Sequence, residues 1–427
     1  MDTISVLVVD DSALMRNLIT RMIEQSPDMK VVGKAMNGDF ALQKIPILKP
    51  DIIILDLEMP KMNGLEFLEA RRKQGIDVPV IILSSIARKG AKVTMDALAM
   101  GAADFVTKPS GSISTDIHVV ADQVQALIRA YGGKYARSIG KTIPDPPVGN
   151  AETQAGYREA PPAEHISTEK PAPPRTPAAD SPAAPPPRQL NRAVEAPRGL
   201  EPLQPGTLPK QIDLIVIGIS TGGPNALRKM FAAISRDLPV PIVVVQHMPA
   251  GFTYEFAKSL DRICPLVVKE AEDGEDLKPG HIYIAPGDTH VQVHAPGSPG
   301  GSGASGASDD DPGATGSSRS MGTIRLNREA PENGHRPSAD VLFRSAAKQF
   351  GNRCLAVIMT GMGRDGAREI GTLYANGAAT IGQDPGSCVV YGMPKVAYDA
   401  GYLYQQVPLS HMADTIAAIT ADPQSLA

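Results

Sequence analysis

Two sets of residues in this 427-residue chain have the types and spacings that do chemistry. In the first, Asp10 and Asp11 close one apolar run and Asp56 closes another, while Ser84 ends a third and Lys108 follows a fourth. Three carboxylates brought together repel one another unless a divalent cation neutralises them. Magnesium fits, since it prefers oxygen ligands, keeps waters and accepts phosphate oxygens. One carboxylate can then attack a phosphoryl donor to form an acyl phosphate, with the lysine and the serine hydroxyl meeting the phosphoryl oxygens. In the second set, Gly218-Ile219-Ser220-Thr221-Gly222 fits G-x-S-x-G, a turn that presents a serine hydroxyl at a strand end. Glycines after a strand also cradle phosphates, but neither G-x-G-x-x-G nor G-x-x-x-x-G-K-[ST] fits here.

A serine nucleophile needs a base and an acid that orients it. His247 follows the apolar run Ile242–Gln246 and so falls beside the Ser220 turn. Asp365 stands in Gly361-Met362-Gly363-Arg364-Asp365-Gly366, after the apolar run that starts at Cys354. An acid at a strand-to-helix junction also makes a good N-cap, so both readings of Asp365 stay open on the residues alone. Backbone N–H groups of this glycine-rich turn offer an oxyanion hole. Of the other histidines, His118 falls in the first half and His165 in a proline-rich stretch. His290 and His294 share a face of a predicted hairpin and read as exposed. His281 begins a strand, His335 sits in a polar loop, and His411 opens the last helix.

The elements that must position these groups alternate. Strands are predicted at Val6–Val9, Val31–Ala35, Ile52–Leu55, Val80–Leu83 and Asp104–Thr107, with helices starting near Ser12, Gly38, Gly64, Lys89 and Asp116. Five such units imply a doubly wound parallel sheet, with its site at the C-terminal strand ends. The second half also reads as α/β, with a mainly parallel sheet. Between them, composition shifts near residue 138, and residues 140–210 hold 17 of the 39 prolines. Such a stretch cannot bury enough apolar surface to offset its ordering entropy, so a disordered linker is expected over 139–210. A second irregular stretch, 296–320, carries seven glycines, seven serines and Asp309-Asp310-Asp311, and reads as an insertion at a hairpin tip. Consecutive acids lack the spaced ligands of a calcium loop.

Net charge is −4, which gives no electrostatic case for nucleic acid or anionic lipid. Three cysteines without C-x-x-C spacing point to neither a disulfide framework nor a zinc site, and to a reducing compartment. No charged n-region precedes the first strand and no apolar run approaches ~20 residues. The expectation is a cytoplasmic protein without membrane insertion.

Over residues 1–138 the five-part set, with L-D-L-E-M-P-K-M-N-G around Asp56, resembles response-regulator receiver domains. That resemblance implies Asp56 as phosphoacceptor, and Asp10, Asp11, Asp56 and the Glu58 backbone carbonyl as magnesium ligands. It also implies Lys108 at the phosphoryl group, with Ser84 and Phe105 as switch residues. Over 211–427, I-G-I-S-T-G-G-P, Q-H-M-P-A-G-F-T, M-T-G-M-G-R-D-G and S-C-V-V-Y-G-M-P resemble the chemotaxis-specific protein-glutamate methylesterase family. That family joins a receiver to a methylesterase domain. By position it implies Ser220 as nucleophile, His247 as base, Asp365 as orienting acid, and Thr221 and Met362 as substrate- or oxyanion-positioning residues. The cysteine of S-C-V-V, Cys388, is kept as structural. The implied function is phosphorylation-gated hydrolysis of glutamate methyl esters on methyl-accepting chemotaxis receptors, with glutamine deamidation as a second activity. A histidine kinase is the implied phosphodonor, and the esterase step needs no cofactor. Two rivals stand beside it: a phospho-dependent adaptor, and a serine hydrolase or amidase with another protein target.

Overall fold

The computed structural model describes residues 2–85, 88–108, 117–143, 200–201, 203–297 and 321–426. Most of the proline-rich stretch, most of the 296–320 insertion and His165 lie outside the described residues.

The first half holds strands β1 (Ile4–Val9), β2 (Met29–Ala35), β3 (Ile52–Asp56), β4 (Val80–Ser84) and β5 (Asp104–Thr107). Helices α1 (Ala13–Glu24), α2 (Gly38–Leu48), α3 (Gly64–Lys73), α4 (Arg88–Ala99) and α5 (Ile117–Leu127) alternate with them. A π-helical turn, Ile128–Gly132, carries α5 into α6 (Gly133–Ser138). The strands pair in parallel in the order β2-β1-β3-β4-β5. Strands β1, β3, β4 and β5 are buried along their whole length, as β-branched and leucine runs covered by helices on both faces require. Ser12 caps α1 through Met15 N, and Asn63 with Glu66 forms a capping box on α3, so the predicted helix starts fall where caps exist. The strand order reverses between β1 and β3, which brings Asp10 and Asp56 to one crevice.

The second half follows the same logic with more strands: β6 (Leu214–Ile219), β7 (Ile242–Gln246), β8 (Val267–Glu270), β9 (His281–Ile284), β10 (His290–His294), β11 (Thr323–Asn327), β12 (Cys354–Ile358), β13 (Ala379–Gln383) and β14 (Gln405–Val407). Its helices are α7 (Gly223–Ala232), α8 (Phe252–Asp261), α9 (Ala339–Phe350), α10 (Ala367–Ala375), α11 (Met393–Asp399) and α12 (Met412–Ala421). Seven strands pair in parallel in the order β14-β13-β12-β6-β7-β9-β8. Strands β10 and β11 form a separate antiparallel hairpin, with His290 opposite Asn327 and His294 opposite Thr323. Here the order reverses between β6 and β12, and the Ser220 and Asp365 turns flank that crevice.

One expectation needs correction. His290 is fully buried rather than exposed: its Nε2 donates to Ala330 O at 3.2 Å, and its Nδ1 accepts from Ser338 N at 3.3 Å. The hairpin packs its His290 face against the entry to α9, which strand alternation alone does not reveal. The described residues at the two ends of the expected linker are held to the units they join. Lys141 Nζ bonds Asp51 at 2.7 Å, and Gly206 N donates to Tyr374 O at 3.0 Å. Gln424 Nε2 donates to Leu208 O and Pro209 O at 3.2 and 2.8 Å. Proline lacks an N–H but keeps its carbonyl, so a proline-rich segment can still dock as an acceptor.

Candidate active site and receiver pocket

Ser220 follows β6, a strand buried at all six positions, and its turn is tight enough to demand glycine. Gly222 sits at φ 79°, in the left-handed region, as N-cap of α7. Ser220 N donates to Thr360 O at 3.0 Å, which ties the turn to the end of β12. His247 N donates to Ile219 O at 3.2 Å, which ties the end of β7 to the same turn. The side chains then converge. Ser220 Oγ lies 3.1 Å from His247 Nδ1, and His247 Nε2 lies 2.8 Å from Asp365 Oδ2. An ionised carboxylate only accepts, so the proton sits on Nε2 and leaves Nδ1 free to accept from the serine.

Asp365 does not cap α10, whose N-cap is Gly366; its carboxylate instead accepts at the start of α9, whose N-cap is Ser338. It accepts from Ala339 N at 2.6 Å and Ser338 Oγ at 2.6 Å at the start of α9, and from Asn333 Nδ2 at 2.8 Å. Burial opposes its charge, but the bonds from His247 and Ser338 hold its carboxyl well below the usual range. The capping reading at its own strand-to-helix junction is thus overturned: the carboxylate faces His247 and the start of α9 instead. Met362 is 43% exposed, beside Gly361, where an added Cβ would lie 2.8 Å from Ser220 Cβ. The N–H groups of Thr221 and Met362 find no acceptor among the described residues. Burial pushes the Cys388 thiol up to about 12, which suits a packing role.

One site residue was missed. The His335 ring stacks on His247 with centroids 3.8 Å apart and planes 12° from parallel. Burial, then the neighbouring His247, pushes its pKa down to about 3, so it stays neutral beside the His247 ring. Its polar loop gave no local signal; only its nearness to Arg336-Pro337-Ser338, at the entry to α9, could have hinted at it.

At the first sheet's crevice, one ligand atom from each of Asp10, Asp11 and Asp56 falls within 4.8 Å of the others. Lys108 Nζ lies 3.0 Å from Asp10 Oδ2 and 2.9 Å from Asp56 Oδ2. Burial raises the pKa of Asp56, with Lys108 acting against it. A cavity of about 260 Å³ opens here, lined in part by Asp11, Asp56, Glu58, Ser84 and Lys108. An all-oxygen, acidic set in a space of this size fits magnesium and a phosphoryl group. The Ser84 hydroxyl is turned to α4, where Thr94 Oγ1 donates to it at 2.5 Å.

The two sites meet through the receiver-like half. Phe105 stacks on Phe252 at the start of α8, at 5.0 Å and 7°. Asn225 Nδ2 donates to Ala102 O and Ala103 O at 2.9 and 2.8 Å. Asp104 Oδ2 accepts from Gly222 N at 2.9 Å, two residues from Ser220.

The response regulator receiver family matches residues 6–117, and the CheB methylesterase family matches residues 215–416. The protein-glutamate methylesterase/protein-glutamine glutaminase of Treponema denticola is 47% identical over 97% of this chain and 98% of its own. That of Treponema pallidum is 46% identical over 97% and 96%. The solved Thermotoga maritima CheB methylesterase catalytic domain is 35% identical, covering 49% of this chain and 98% of its own, with a TM-score of 0.42. Both family matches fall on the two parallel sheets just described, and the relatives align from end to end. The chain belongs to the protein-glutamate methylesterase/protein-glutamine glutaminase family, in which a response-regulator receiver precedes a methylesterase domain.

Proposed function

We propose that this chain hydrolyses glutamate γ-methyl esters on methyl-accepting chemotaxis receptors, deamidates receptor glutamines, and is gated by phosphorylation at Asp56. The observation that carries the reading is the Ser220–His247–Asp365 relay, at 3.1 and 2.8 Å, opening beside two unengaged N–H groups. The proposed division is a receiver over 1–138, a tether over 139–210 and a catalytic unit over 211–427 with the 296–320 insertion.

Ser220 Oγ attacks the ester carbonyl while its proton passes to His247 Nδ1. Asp365 stabilises the imidazolium through Nε2–H. The oxyanion faces the N–H groups of Thr221 and Met362. His247 returns the proton to the leaving methoxide, methanol departs, and a water deprotonated by the same nitrogen releases glutamate. With glutamine, ammonia leaves instead. His335 keeps a neutral face against the imidazolium. Losing that stack removes about 0.5–1.5 kcal/mol, so His335→Leu should lower kcat roughly 3- to 10-fold in a methanol-release assay.

In the receiver, Asp10, Asp11, Asp56 and the Glu58 carbonyl would hold magnesium, whose charge lets Asp56 accept a phosphoryl group from a histidine kinase. Lys108 would meet the phosphoryl oxygens, and Ser84 would leave Thr94 to join them. Phe105 would follow Ser84 and leave Phe252, shifting the population toward an open catalytic face.

The test uses methyl-labelled receptor, with and without magnesium and a small phosphodonor. Wild type should release methanol, Ser220→Ala should release none, and Asp56→Asn should release it without phosphodonor stimulation. No release from wild type under either condition would refute the reading and favour a different target or an adaptor.

A further inference from the structure

Gln246 closes β7 and is 2% exposed, directly before His247. Its Nε2 donates to Ser220 O at 3.1 Å and to His247 O at 3.2 Å. The two hydrogens of one amide thus bind the carbonyls of the nucleophile and the base. Turned over, the amide would set its oxygen against both carbonyls, so the chemistry fixes its orientation. We infer that Gln246 is a positioning residue that aims the Thr221 N–H at the oxyanion of the cleavage step. This deepens the function proposed above and rests on Ser220 being the nucleophile.

The argument follows from peptide geometry. In a trans peptide the C=O and the N–H point in opposite directions. Ser220 O is held on one side by Gly223 N at 2.7 Å and by Gln246 Nε2. The N–H of that same peptide belongs to Thr221 and must point the other way, where it meets no acceptor among the described residues. The next peptide is held in the reverse sense. Thr360 Oγ1 donates to Thr221 O at 3.0 Å, and the Gly222 N–H turns to Asp104. Two side chains therefore set two successive peptides, and only the one held by Gln246 serves the reacting carbonyl.

The cost of this arrangement is visible. Gln246 Oε1 is buried without a partner among the described residues, against a glycine. A Cβ added at Gly223 would lie 1.9 Å from it, so the turn leaves just enough room for the amide. A buried polar atom left unpaired for packing alone would favour an apolar side chain there.

The test compares Gln246→Met, which keeps length and volume without N–H donors, and Gln246→Glu, which sets a carboxylate against both carbonyls. Full-length protein is assayed for methanol release with saturating phosphodonor and magnesium, beside wild type and Ser220→Ala. Removing an oxyanion donor costs about 10²–10³ in kcat; misaiming one should cost Gln246→Met roughly 10- to 100-fold. KM and the pH profile should stay put, and Gln246→Glu should be slower than Gln246→Met. Thermal unfolding checks that both variants are folded at the assay temperature. Wild-type kcat in Gln246→Met, or a loss confined to KM, overturns the assignment. So does a shifted pH profile, because the residue would then act on a titrating group rather than on the oxyanion. An active Ser220→Ala would instead sink the underlying reading.

Discussion

Asp365→Asn should lower kcat about 10³- to 10⁴-fold with little change in KM, the scale seen when an orienting carboxylate is exchanged for an amide. Asp365 Oδ2 takes the His247 Nε2–H at 2.8 Å. An asparagine could keep that bond only by turning its NH2 toward Ser338 and Asn333, both of which now donate to Oδ1. The alternative flip sets NH2 against Nε2–H and drives the proton onto Nδ1, where it blocks acceptance from Ser220. Either state costs stability as well, because the carboxylate accepts at the start of α9. A lost cap is worth about 1 kcal/mol, or roughly 2–4 °C in Tm for a domain of this size. Methanol release measured well below the lowered Tm separates the two effects. The carboxyl is held below its ordinary range, so its stabilising contribution is present above the unfolded-state pKa and lost as pH falls through the folded value. It therefore stays ionised at neutral pH, and any acid limb of the rate belongs to another group. An Asp365→Asn variant that kept wild-type kcat would remove Asp365 from the relay.

Groups that stand at strand ends were legible because a strand's direction and length fix where its last side chain falls. Asp10, Asp56 and Lys108, and likewise Ser220, His247 and Asp365, each follow an apolar run, and parallel pairing puts them on one edge. What the local pattern missed depends on distant segments meeting. His335 reaches His247 from a polar loop 88 residues away, and Asp365 accepts at the start of a helix 26 residues before it, not of the one it precedes. His290 looked exposed because alternation gives two faces and does not say that α9 covers one of them. The resemblance to known receivers gave Phe105 a role, but no pattern in the residues pairs it with Phe252.

The same limit hid Asp104, whose contact with Gly222 yields a second large effect: Asp104→Ala should raise the activity of unphosphorylated protein about 10-fold or more, leaving the phosphorylated rate nearly unchanged. Its carboxylate is the receiver's closest polar hold on the nucleophile turn, at 2.9 Å from Gly222 N, and Tyr131 OH steadies it from behind at 3.2 Å. A hydrogen bond to a charged group contributes about 1.5–3 kcal/mol, which is roughly 10- to 100-fold in the balance of closed and open forms. The exposed Arg262–Asp96 pair at 4.0 Å adds little. Burial raises the pKa of Asp104 to about 6, against bonds from Gly222, Phe105 and Tyr131 that lower it. Asp104→Asn keeps an acceptor for Gly222 N–H, so it should stay far more repressed than Asp104→Ala. If Asp104→Ala stays as repressed as wild type, the stacked Phe105–Phe252 pair and the Asn225 contacts hold the face closed on their own.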